Sequence, residues 1–183
     1  MDSNRIGRTL ASLRARLFIF TLLVLPALAL MPVTATWARG PITHHVSVGS
    51  PDACAFFDLK PGCDANFSLT ANVFADGSVR GEYTDRFRYY GPGDGFHAKI
   101  DCVSVDGNEA WVSGVITSGT SGGFDLTGLY VATRVRDNGT SANDPPDEIS
   151  LSWISDVLLS CAEHSEILEL YDLHQGQVVI KSR

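Results

Sequence analysis

The chain has 183 residues, 44% of them hydrophobic, and carries 14 Lys and Arg against 21 Asp and Glu, for a formal net charge of −7. Such a balance argues against nucleic acid and anionic lipid as partners, because phosphate contacts need clustered Lys and Arg. Its length suits a leader followed by one domain of ordinary size with a single buried core.

The first 38 residues read as a secretion signal. Arg5, Arg8, Arg14 and Arg16 form a positive head, Leu17 to Leu30 is an apolar stretch interrupted by Pro26, and small residues lead to a signal-peptidase cut after Ala35 or Ala38, where Thr36 and Ala38 give tolerable −3 and −1 positions. The alternative is a retained N-terminal membrane anchor, since no charge falls between Leu17 and Ala38 and about 20 apolar residues span a bilayer. Membrane contact is expected only through residues 1–38, and only if they are retained. Residues 39–183 are then a single domain, secreted or periplasmic. Because residues 1–38 hold four Arg and one Asp, their removal takes the net charge to −10.

All four cysteines, Cys54, Cys63, Cys102 and Cys161, follow this segment, and an even number in an exported chain argues for two disulfides. Three connectivities exist. Cys54–Cys63 with Cys102–Cys161 is preferred, the first closing a short loop that turns at Pro61-Gly62. Zinc is disfavoured because no C-x-x-C pair is present.

From residue 42 onward the apolar period is mostly two, the signature of strands. Phe67, Leu69, Ala71 and Val73 alternate with polar neighbours. A turn at Ala75-Asp76-Gly77-Ser78 and a return through Val79, Gly81 and Tyr83 make residues 66–86 a hairpin. Gly91-Pro92-Gly93-Asp94-Gly95 is a loop. The next strand, around Ile100, Cys102 and Ser104, is apolar on parts of both faces. Asp106-Gly107-Asn108 turns it into Ala110, Val112, Gly114 and Ile116, a second hairpin. Residues 118–123 read as a flexible Gly-rich connection, followed by one long strand through Leu126, Gly128, Tyr130 and Ala132, or on its opposite face Leu129, Val131, Thr133 and Val135. Asp137 to Asp147 is a loop. Ile149, Leu151 and Trp153 form a further strand, 156–173 is irregular with room for a short helix, and Val178 and Ile180 lie in the last strand. About eight antiparallel strands without βαβ alternation specify an all-β fold, either a closed or partly open barrel or a two-sheet sandwich. Mid-strand Gly81, Gly114 and Gly128 favour the barrel, where tight bends use glycine.

Several segments, in order, resemble a family of uncharacterised exported bacterial β-domains often found beside immunoglobulin-like or hyalin-type repeats. They are Asp76-Gly77 with Gly81, Ile100 to Ala110 with Gly114, Val135 with Asp137-Asn138-Gly139, Asp147, and Gly176 to Ile180. They cover most of residues 64–182. The resemblance implies an all-β fold and brings no catalytic residues, and no such repeat is read within residues 1–183.

Candidate chemistry is sparse. His44 and His45 are adjacent, and adjacent residues on a strand face opposite ways, while His97, His164 and His174 are scattered, so no metal is expected from histidine. Asp137, Asp144 and Asp147, with Asn138 and Glu148, offer hard oxygen ligands for calcium, but they lack the spacing of a calcium loop and also suit turn-making. No Gly-x-Ser-x-Gly elbow exists. Asp85, Asp101 and Asp125 are available carboxylates without an evident pairing for a glycosidase. Tyr89, Tyr90 and Phe96 flank the loop at 91–95 and form a candidate sugar- or peptide-binding edge. Asn66 and Asn138 head formal glycosylation sequons. No cofactor is implied. The expectation is a non-enzymatic exported β domain, a binding or envelope-structural module of unknown ligand. The alternatives are an extracytoplasmic hydrolase and, if the barrel is hollow, a carrier of small apolar ligands.

Overall fold

A computed structural model describes residues 40–50, 66–86, 93–141, 143–173 and 175–183. The expected signal, Cys54, Cys63, Tyr89, Tyr90 and His174 lie outside the described residues. Ala38–Arg183 form one compact unit.

Eleven strands follow one another among the described residues: β1 (Ile42–Ser50), β2 (Asn66–Phe74), β3 (Val79–Arg86), β4 (Gly95–Asp106), β5 (Glu109–Ser121), β6 (Phe124–Asp125), β7 (Tyr130–Arg136), β8 (Glu148–Ser150), β9 (Trp153–Ser155), β10 (Leu170–Asp172) and β11 (Gln177–Ser182). They make one antiparallel sheet in the order β10-β8-β7-β5-β4-β3-β2-β1-β11, with β6 beside β5 and β9 beside β7. The sheet curls into a half-barrel. A partly open barrel is therefore the form adopted, and the two-sheet sandwich is not.

The curl has a local cause. Ala71, Gly81, Ile100, Gly114 and Val131 are register partners in one row across β2, β3, β4, β5 and β7. A Cβ on Gly81 would lie 2.6 Å from the Thr70 carbonyl oxygen, and one on Gly114 would lie 2.9 Å from Ile100 Cα and nearer still to the Lys99 carbonyl. Backbones approach so closely at these two points that only glycine fits, which lets the sheet bend. Gly128 plays another part, at φ +88° in the turn before β7.

Two bulges divide β4 and β5. One lies at Ile100/Cys102, where Asp101 has no opposite residue, and the other at His97/Ala98, where Thr117 is the extra residue. The first reverses the alternation. Phe96, Ala98 and Ile100 pack inward before it, Val103 and Val105 after it, and Cys102 moves to the outer face. That explains a strand apolar on parts of both faces.

The interior is filled. Tyr83, Leu69, Ile100, Ile116, Val46, Val112, Val131, Val135 and Val178 are each at most 2% exposed. Val46 and Val48 bring β1 into this core, a strand that alternation alone does not single out because only two large apolar side chains are buried along it. Three further expectations are corrected. Residues 118–121 continue β5, with Gly119 opposite Phe96, and the turn is confined to Gly122-Gly123. The single strand expected through Leu126 to Ala132 is β6 and β7 parted by a turn closed by Leu129 N–H to the Leu126 carbonyl. The strand expected at Ile149–Trp153 is likewise split, by Leu151-Ser152. The irregular stretch 156–173 contains a 3-10 turn at Cys161–Glu163 and the short β10.

The open side of the curl is held by side chains. β11 pairs with β1 along one edge. On its other edge the Val178 N–H donates to Asp147 Oδ2 at 2.7 Å and the Ile180 N–H to Asp137 Oδ2 at 2.9 Å. The 137–147 loop thus supplies acceptors where a neighbouring strand would otherwise do so.

Candidate functional site

Three polar constellations stand out, and each is set by strand alternation. The first lies inside the curl. Tyr83 and Asp85 are two residues apart on β3 and share a face. Ser152, at the kink between β8 and β9, meets both: its hydroxyl lies 2.6 Å from Tyr83 Oη and donates to Asp85 Oδ2 at 2.7 Å. Thr133 and Ser150 lie beside them, hydroxyl to hydroxyl at 3.1 Å. Burial pushes the Asp85 carboxyl up to about 6, against the bonds from Ser152 and Tyr83 that favour its charge. Burial, and then the Asp85 charge, raise the Tyr83 phenol well above its usual range. Asp85 also borders a groove of about 450 Å³, whose rim includes Asp94, Arg86, His97 and Thr120. Asp94 is 7% exposed; its Oδ1 accepts the Gly122 N–H at 3.2 Å, while Oδ2 is buried without a partner among the described residues.

The second constellation is on the outer face. A groove of about 660 Å³ runs over β2 to β5, lined by outward residues that include Thr70, Arg80, Glu82, His97 and Lys99. Thr84 and His97 border both grooves, so the two adjoin. Register explains the layout: Thr70, Glu82 and Lys99 lie in one row and Thr84 and His97 in the next. Arg80, Glu82 and Lys99 are exposed and enter no ion pair among the described residues.

The third is a strap over the outer face of β4, β5 and β7. Cys102 is joined to Cys161 across 59 residues of sequence. Ser160 caps the 3-10 turn that follows, and His164, in the left-handed region at φ 48°, swings its ring flat onto Trp111 with centroids 4.1 Å apart. Ser104 holds His164 Nε2 at 2.7 Å. Arg134 places its guanidinium 4.8 Å from the Trp111 ring and reaches Glu109 at 2.6 Å and Glu166 at 3.0 Å. Arg136 bridges Glu109 and Glu148. Although burial pushes Glu109 up, the bonds from Arg134 and Arg136 prevail and hold its carboxyl below the ordinary range. Trp111 Nε1 and Ser113 Oγ are buried here without partners.

The residues singled out from sequence fare unevenly. The Cys102–Cys161 disulfide is present, whereas the proposed Cys54–Cys63 pair lies outside the described residues. Phe96 is not at an exposed edge; it is 2% exposed and meets Tyr83 edge-on at 5.1 Å, because its strand parity points it into the core. Tyr89 and Tyr90 lie outside the described residues. Asp137, Asp144 and Asp147 spend their carboxylate oxygens on backbone N–H groups: Gly139 and Ile180, Ser141, and Asn138 and Val178 respectively. His44, His45, His97 and His164 have separate partners, namely Ser182, Asn72, Thr84 and Ser104. Among the described residues no three His, Cys, Asp or Glu are grouped to hold a metal ion. Asp101 is exposed at its bulge, Asp125 accepts the Thr127 N–H, and Asp85 faces inward, so the three do not meet. The Asn138 amide is engaged with the Pro146 carbonyl at 2.6 Å, within its sequon. Arg80 and Lys99 escape a reading by motif, although alternation alone puts them on the same outward parity as Glu82 and His97.

No family model, curated protein or solved structure matches the chain, so the resemblance to exported bacterial β-domains gains no support from comparison.

Proposed function

We propose that this chain is an exported, non-enzymatic binding domain that holds its ligand on the outer face of β2 to β5. The observation that carries this reading is the pairing of a filled interior with an open groove on the outer face of the sheet and a second that adjoins it at Thr84 and His97. A carrier of apolar ligands needs a hollow apolar pocket. Tyr83, Leu69, Ile100 and Ile116 occupy that space instead. Export to a secreted or periplasmic site is supported by the Cys102–Cys161 disulfide, since such bonds persist in oxidising compartments. The test is amide-shift mapping while soluble glycans and peptides are titrated. Shifts gathered at Thr70, Glu82 and Lys99 are expected. Shifts centred on Leu69 and Ile116, buried in the core and outside both grooves, would instead favour the carrier.

One observation favours a hydrolase as a second reading. Asp85, titrating at about 6, borders the same groove as Asp94, and a carboxyl held near working pH suits acid–base catalysis. Hydrolysis of a polysaccharide panel that disappears in Asp85→Asn, with folding retained, would establish it over the binding domain.

A further inference from the structure

We infer that the ligand of the outer groove is an acidic polysaccharide, a chain bearing carboxylates at intervals among free hydroxyls. The inference rests on the binding-domain reading and names the chemistry of the same face. It begins from charge. The domain is acidic, yet its cations are not evenly spent. Arg134 and Arg136 are committed to Glu109, Glu148 and Glu166. Arg80 and Lys99 are exposed in one groove, and Arg86 is exposed in the adjoining one; none of the three enters an ion pair among the described residues. Of the five exposed cations without an ion pair among the described residues, three border these grooves and two, Lys181 and Arg183, lie outside them, so on an acidic protein the grooves draw an anion most strongly.

Spacing and company then select the kind of anion. Lys99 is the register partner of Glu82, and Arg80 lies two residues along β3 from Glu82. Strand rise and separation place the Arg80 and Lys99 backbones roughly 8 Å apart. Double-stranded nucleic acid presents one charge per about 1.7 Å of axis, so most of its phosphates would face no cation. Several would also meet Glu82. A polysaccharide carries at most one carboxylate per sugar ring, spreads its charge more widely than a duplex and so eases both penalties. Its hydroxyls would donate to Glu82 and exchange hydrogen bonds with Thr70, Asn72 and Thr117, all of which line the groove. The His97 imidazole is the only exposed ring lining the grooves among the described residues, too little to stack successive bases.

The test uses the purified chain and three polymers: polygalacturonate, neutral dextran and duplex DNA. Titration calorimetry should show binding to polygalacturonate that weakens as NaCl rises from about 20 to 200 mM, where screening shortens to roughly a Debye length of 8 Å or less. The paired variant Arg80→Ala/Lys99→Ala should lose about tenfold or more in affinity. Arg183→Ala, a cation outside both grooves, should bind as the wild type does. Unchanged thermal melting would show that the paired variant folds, as expected for exposed positions. Equal binding to dextran at the same residues would overturn the acidic assignment and leave the groove a binding site. Tighter binding to DNA would overturn it in favour of a phosphate polymer. Full affinity in the paired variant would move the site elsewhere. No binding to any polymer, with shifts from peptides in the same groove, would overturn the inference alone; no ligand at all would overturn the binding-domain reading with it.

Discussion

Asp85 is a carboxyl enclosed with two hydroxyls. Burial raises it to about 6 in the folded protein, whereas an unfolded chain titrates an Asp near 3.9. The native state therefore binds the proton more tightly than the unfolded state. Its contribution to stability is fully present below about pH 4 and is lost as pH rises through about 6. For a half-buried residue this amounts to roughly 2 kcal/mol between pH 4 and pH 7.5. Glu109 works with the opposite sign: its lowered value gives stability above its unfolded pKa that is lost as pH falls through its folded one. The two are separated by comparing wild type with Asp85→Asn in urea melts across that range. The difference between the two proteins should change by about 2 kcal/mol, with the variant relatively better at pH 7.5. A difference that stays constant with pH would show that Asp85 titrates normally. At this scale the sequence offered Asp85 as an available carboxylate and nothing more. Its partner Ser152 lies 67 residues away, and no local pattern marks a hydroxyl at a kink between two short strands as the group that meets it.

The strands themselves were legible where alternation is strict. Phe67, Leu69 and Ala71 all reach the core, and the two expected hairpins at residues 66–86 and around Gly107-Asn108 form. What alternation could not reveal is where it is interrupted. The bulge at Asp101 exchanges the faces of β4 midway, and Leu151-Ser152 divides β8 from β9. Glycine carried half of a correct message: Gly81 and Gly114 lie at close approaches in the bend, but Gly128 belongs to a turn and contributes no curvature. Gly114→Ala should therefore cost about 3 kcal/mol or more, because the added methyl meets the Lys99 and Ile100 backbone rather than a movable side chain. Gly123→Ala, at φ +85° with open space around it, should cost only about 1 kcal/mol. Chemical denaturation of both variants checks the order; an equal loss would mean that close approach in the bend is not what excludes a side chain.

At the scale of the whole molecule two devices act, one fastening the strap to the outer face of the sheet and the other holding the open side of the half-barrel. One is the Cys102–Cys161 bond, which was legible as one of three pairings because even cysteines in an exported chain invite pairing. Closing a loop of 59 residues constrains the unfolded chain by about 4 kcal/mol, so the paired change Cys102→Ser/Cys161→Ser should lower stability by that order in equilibrium melts. An unchanged midpoint would assign the strap to the Trp111 stack and the Arg134 ion pairs instead. The other device is the pair Asp137 and Asp147, which the sequence presented as turn-makers or calcium ligands. Their long-range role was hidden because β11 lies 31 and 43 residues further on. Asp147 accepts from Asn138 and Val178 and is 8% exposed, so its carboxylate ties the 137–147 loop to the edge of β11. Replacing it by Ala removes two charge-assisted bonds and leaves both N–H groups unpaired, at a cost of roughly 3 kcal/mol. It also bares the free edge of a strand, the template on which a second chain can pair. Asp147→Ala should speed hydrogen exchange at Val178 while leaving Ile100, deep in the central strands, slow, and it should associate as its concentration rises. If the Val178 amide exchanges as slowly in the variant as in the wild type, the open side is closed by packing and not by carboxylates.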